Sequence, residues 1–138
     1  MNHTSLYPVL MSGDVATAAA FYREALDATT TFESDWYVSL RVGAFELAVL
    51  QHDHPTIPEG FRALPRGVLV NVEVDDVDAV HHRLTTTLGL EPVLSLRDET
   101  FGQRHFIVEA PDGVLLDVIE PIPPSADFAD AFVGTSAT

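Results

Sequence analysis

Phe101-Gly-Gln-Arg-His-Phe-Ile-Val-Glu-Ala-Pro-Asp-Gly-Val-Leu-Leu-Asp-Val-Ile-Glu120 decides the fold, because it reads as two strands folded back about one turn. Arg104–Glu109 and Val114–Ile119 are rich in β-branched and aromatic residues, and Ala110-Pro111-Asp112-Gly113 between them is a hairpin-turn signal. Working upstream, Glu91–Leu96 is a third strand. Before it, Val77–Leu88 is a helix capped by Asp75-Asp76 and ended by Gly89, and Val68–Val74 is another strand. The same order stands earlier in the chain. Ser5–Met11 is a strand, with Pro8 tolerated only at an edge or a strand start. Asp14 caps a helix over Val15–Leu26, and the strands Ala28–Phe32, Tyr37–Val42 and Phe45–Leu50 follow, the last two joined at Gly43-Ala44. A shift of 62 residues lays Asp14 on Asp76, Val15 on Val77 and Leu26 on Leu88. At the hairpin end a shift of 69 lays Ala48-Val-Leu-Gln51 on Asp117-Val-Ile-Glu120. The extra residues fall in strand connections, where insertions cost little. One unit, strand-helix-three strands, is therefore used twice. The expected organisation is a single domain over 1–138. Residues 5–51 form a first module, 52–66 a polar connection containing Pro55, Pro58, Gly60 and Pro65, and 67–120 a second module. Residues 121–138 form a tail with one or two helical turns over Ser125–Phe132.

Composition narrows the function classes. The 138 residues are 46% hydrophobic and 20% charged, a globular balance for one domain. There is no cysteine, which excludes disulfides, thiolate metal sites and a cysteine nucleophile and fits a reducing, cytoplasmic setting. Met1–Leu6 lacks the basic start and apolar core of a signal peptide, and no apolar run approaches the ~18 residues of a membrane span. The formal charge of −14 repels phosphate backbones and anionic lipid, so neither nucleic acid nor a membrane is an expected partner. The same charge attracts a cationic small molecule.

Three stretches carry a family likeness. They are Gly13-Asp14-Val15 through Phe21-Tyr-Arg-Glu-Ala-Leu26, Val72-Glu-Val-Asp-Asp-Val-Asp78, and Phe101 to Gly113 followed by Leu115-Leu-Asp-Val118. In that order they resemble the vicinal oxygen chelate superfamily, the group of glyoxalase I, bleomycin-resistance proteins and extradiol dioxygenases. The likeness runs from about Leu6 to Pro121. It implies an α+β fold of two βαβββ modules forming a curved, mixed, eight-stranded sheet around a cavity, and a homodimer. It also implies four metal-ligand positions, which fall on Tyr7, Ala48, Leu69 and Asp117 of this sequence. Ala48 and Leu69 have no donor atom, and a protonated phenol with a pKa near ~10 makes Tyr7 a poor ligand. Only Asp117 is a good donor. A two-residue register change would add Glu46 at most, since a one-residue slip turns every side chain to the other face. No metal and no cofactor are therefore expected.

Other residues offer polar chemistry. His52-Asp53-His54 could place two imidazoles on one side of an extended segment or lie solvated in the connection. His81 and His82, adjacent on a helix, cannot share a face. Asp98 to His105 holds an aromatic, an amide, a guanidinium and an imidazole beside the expected cavity. Phe101 could stack on a ligand while Arg104 or His105 holds its polar end, or Arg104 could simply pair with Asp98 or Glu99. The period of two places Arg104, Phe106 and Val108 on one face and His105 and Ile107 on the other, without telling which faces inward. Asp117 sits among apolar neighbours, where a carboxylate needs a partner. It could accept a ligand's hydrogen bond, act as a general base, or pair with Tyr7. Trp36 lines the cavity or packs.

No Ser-His-Asp signature, nucleophile elbow or phosphate-binding glycine loop is present, and no catalytic residue can be named. The expected function is metal-independent binding of a small, cationic or aromatic molecule, similar to the bleomycin-resistance branch. Its expected contacts are Tyr7, Trp36, Glu46, Phe101, Arg104, His105 and Asp117. The alternative is a glyoxalase-type lyase, isomerase or dioxygenase with an atypical or metal-free site.

Overall fold

The computed structural model describes residues 1–134, so the last four residues of the expected tail lie outside the described chain. The chain gathers into two compact units. One is Met1–Val68 with the turn Ala110–Val114, and the other is Leu69–Glu109 with the chain from Leu115 onward. The class is α+β, and the strand-helix-three-strand order occurs in each half.

In the first unit, β1 (Val9–Ser12) is followed by α1 (Val15–Leu26), β2 (Thr29–Glu33), β3 (Tyr37–Val42) and β4 (Phe45–Gln51). They form one four-stranded sheet in the order β1-β4-β3-β2, with β1 parallel to β4 and the other pairs antiparallel. Asp14 starts α1 as foreseen, its carboxylate accepting the Thr17 N–H at 3.0 Å. The helix ends at Asp27, which takes the left-handed conformation at φ 53°. Val15, Ala18, Ala19, Tyr22 and Ala25 of α1 are buried, as are Leu10, Val38, Leu40, Leu47 and Val49 of the strands. This is the apolar helix stripe packed on one sheet face that the pattern implied. β1 begins four residues later than expected. Pro8 has no N–H to give to a ladder and contributes only its carbonyl, which accepts from the Ala48 N–H at 3.1 Å.

In the second unit, β5 (Leu69–Glu73), α2 (Val77–His82), β6 (Leu94–Glu99), β7 (Gln103–Glu109) and β8 (Leu115–Pro121) repeat the plan, and α3 (Ala126–Ala129) follows. The sheet order is β5-β8-β7-β6, again with one parallel pair, β5 with β8. The eight strands therefore hydrogen-bond as two sheets of four. The helix expected over Val77–Leu88 is α-helical only to His82 and then widens to a π turn over Arg83–Thr87. Three consecutive threonines are weak helix formers, and the Thr85 hydroxyl donates to the His81 carbonyl at 2.7 Å, competing with the backbone. β6 starts at Leu94 instead of Glu91, past Pro92, and so carries Asp98 and Glu99 inside the strand. Phe106, Val108, Leu116 and Val118 are buried, with Val77 and Leu84 from the helical segment also buried and the His81 ring edge-on to Phe106 at 4.8 Å. His81 thus packs its ring on the core.

The Asp112-Gly113 turn has φ of 66° and 78° at its two central residues, a primed turn that matches strand twist. The Asp112 carboxylate also accepts the Gly13 N–H at 2.9 Å, which ties the approach to α1 to this turn.

Candidate functional site

Alternation along β7 sends Arg104 and Phe106 to the face that carries α2 and His105 to the opposite face. β8 runs antiparallel beside it, with Asp117 opposite Ile107. The His105 Nδ1 lies 2.8 Å from Asp117 Oδ1, and its Nε2 lies 3.0 Å from Glu99 Oε2. Glu99 reaches the ring because β6 and β7 form a hairpin about Thr100-Phe101-Gly102, with Glu99 opposite Gln103. His105 is 5% exposed and Asp117 4%, while the Glu99 side chain is 29% exposed. Burial alone would lower the His105 pKa. The hydrogen bonds and charges of Glu99 and Asp117 outweigh it and hold the pKa above the ordinary histidine value. The ring is thus held at both nitrogens by carboxylates, with its orientation set by two strands. The Phe101 ring stands edge-on to it at 6.3 Å, and Phe128 stands edge-on to Phe101 at 6.3 Å.

Arg104 is directed elsewhere. Its Nε and Nη2 bond Asp78 at 3.1 and 2.8 Å, and its Nη1 bonds Asp98 at 3.0 Å. These bonds raise its pKa further and take up the guanidinium on the α2 face, away from His105. Asp117 bonds His105 and not Tyr7. Tyr7 lies just before β1, half-exposed, within hydrogen-bonding reach of Tyr37. Glu46 accepts a short hydrogen bond from the Ser5 hydroxyl. Trp36 stacks on the His54 ring at 3.7 Å and stands edge-on to Tyr37, which in turn meets Phe32. So Tyr7, Trp36 and Tyr37 form an aromatic group on the first unit, and Phe101, His105 and Asp117 form a polar site on the second. Sequence reading missed Glu99 as the partner of His105, because β6 ends later than its pattern suggested. It also missed Phe128, whose short helical segment carries no periodic signal.

A divalent metal does not fit the family's positions. Ala48 and Leu69 offer no donor atom, and the Asp117 carboxylate is used by His105. Each histidine of the connection has its Nδ1 engaged. His52 Nδ1 faces the Ser12 carbonyl at 3.2 Å, and His54 Nδ1 meets Thr56 at 2.9 Å. Among the described residues, Asp76, Asp78 and Glu120 bring carboxylate oxygens within 4.8 Å of one another. Each already serves α2: Asp76 accepts from the Ala79 N–H, Glu120 from the Val77 N–H, and Asp78 pairs with Arg104.

Comparison with known proteins agrees with this architecture. Lactoylglutathione lyase from Agrobacterium tumefaciens superposes with a TM-score of 0.70 at 17% identity, covering 87% of this chain and 96% of its own. The bleomycin resistance determinant encoded on transposon Tn5 gives 0.64 at 22% identity, covering 86% and 98%. TioX from Micromonospora sp. ML1 gives 0.69 at 20% identity, covering 87% and 100%. No curated protein matches the sequence. The family model for the Glyoxalase/Bleomycin resistance protein/Dioxygenase superfamily matches residues 1–118, and the chain belongs to that superfamily.

Proposed function

We propose that this protein binds a small organic molecule without a divalent metal, at Glu99, His105 and Asp117 with Phe101 beside them. The observation that carries the reading is the buried His105 ring bonded at both nitrogens by carboxylates. It engages the Asp117 carboxylate that a metal would need and leaves the Glu99 side chain 29% exposed to meet a ligand. The formal charge of −14 favours an organic cation there. Tyr7, Trp36 and Glu46 belong to the first unit and are not part of this proposed site. Thermal shift against a panel of organic amines and divalent metals tests the reading. Amines are expected to raise the Tm of the wild type and not of Glu99→Gln. A metal-dependent rise that Asp117→Asn abolishes would overturn it.

The same three residues favour a second reading, a metal-free lyase or isomerase. Asp117 orients the ring through Nδ1, so the Nε2–H could be given to a substrate oxygen once Glu99 turns aside. Turnover that disappears in His105→Gln while ligand affinity persists would select this reading over simple binding. Pairing with a second copy, implied by the family resemblance, is read by light scattering on the eluting protein. Among the described residues no helix is long and apolar enough to cross a membrane.

A further inference from the structure

The family match stops at residue 118, yet the chain continues past it onto the candidate site. After β8, the Ile122 N–H donates to the Gly102 carbonyl at 3.0 Å and the Ser125 N–H donates to the Thr100 carbonyl at 2.8 Å. The segment is thereby laced to the turn between β6 and β7. The fit is close: a Cβ on Gly102 would stand 3.0 Å from the Ile122 carbonyl oxygen and 3.4 Å from the Pro124 Cβ. α3 then delivers Phe128 to Phe101, edge-on at 6.3 Å, and Phe101 meets His105 in the same manner at 6.3 Å. Both phenyl rings remain partly open, Phe101 41% and Phe128 38% exposed. Two open rings in series beside His105 and its Glu99 carboxylate make a surface that is apolar along the rings and polar at the Glu99 end.

We propose that the segment Ile122–Ala129 is a specificity element of the site, and that Phe128 with Phe101 selects organic cations carrying an aromatic ring next to the charged group. The inference rests on the ligand site proposed above. The ammonium meets the Glu99 side chain, and the ring lies along Phe101 and Phe128, where edge and face contacts between aromatic groups add to apolar burial.

Amide-resolved NMR titration of the full chain tests this with two probes, benzylamine and methylamine. In the wild type both are expected to shift the amides of Glu99 to His105, and benzylamine also those of α3, with benzylamine about fivefold tighter. Phe128→Ala is expected to bring the two affinities together by weakening benzylamine alone, and Phe128→Leu to keep part of the difference. A chain ended after Pro121 should behave like Phe128→Ala. A preference for benzylamine that survives in both Phe128→Ala and the shortened chain overturns the specificity role while leaving the ligand site standing. Equal losses for both amines in Phe128→Ala overturn it too, since Phe128 would then only support the turn. If neither amine shifts Glu99 to His105 in the wild type, the ligand site itself falls, and this inference with it.

Discussion

Burying an imidazole deprives its charged form of solvation, and at His105 two carboxylates within hydrogen-bond distance more than offset the loss. The folded-state pKa is therefore raised. Its contribution to stability is complete below the unfolded histidine value of about 6.5 and is lost as pH rises through the folded value. The stability advantage of wild type over His105→Gln should shrink across that window, as read by urea unfolding at a series of pH values. Removing Asp117 leaves a buried ring nitrogen of His105 without its partner, and Asp117→Ala is expected to cost about 3 kcal/mol in the same assay near neutral pH. Arg104 provides the contrast. Its pairs with Asp78 and Asp98 are exposed and worth little, so Arg104→Ala should change neither stability nor ligand binding by more than a small amount. Which of two adjacent residues on β7 holds the site thus follows from the face each one takes.

At the scale of elements, α1 was more legible than α2 or the strand ends. α1 runs over the residues its pattern picks out, because an Asp cap, an Ala-rich body and apolar spacing all agree. The strands next to prolines were displaced, β1 by Pro8 and β6 by Pro92, since a residue without an N–H cannot join the ladder from within. The later end of β6 sets Glu99 in the strand, opposite Gln103 and within reach of His105. The turn that follows depends on Gly102, at φ 109° and with no room for a Cβ against Ile122. Gly102→Ala is expected to destabilise by about 1–3 kcal/mol, measured by denaturant midpoint, and to loosen the docked C-terminal segment. Loss of α3 protection in amide exchange, with the sheets still protected, would report that local release.

The charge of the molecule as a whole bears on its ligand. At −14, affinity for an organic cation should fall as salt is added from 50 to 500 mM, more steeply than for a neutral ligand of the same shape. Isothermal titration at several salt concentrations reads the slope, and no slope would mean that apolar contact dominates. Dialysis against a chelator should leave binding and Tm unchanged, because the family's ligand positions carry Ala48 and Leu69 and the Asp117 carboxylate is engaged.

What the sequence alone determined was the family, the α+β class, the doubled strand-helix-three-strand plan and the poverty of metal donors. These depend on local patterns, on order along the chain and on side-chain type, all of which survive without coordinates. The face of β7 that carries the site, the Glu99–His105–Asp117 chain, the use of Arg104 by α2 and the return of Phe128 onto Phe101 were decided only by the tertiary structure. Each depends on register and on contacts between residues separated by loops. A period of two names the alternating faces of a strand, and only the helix packed on one of them says which is which.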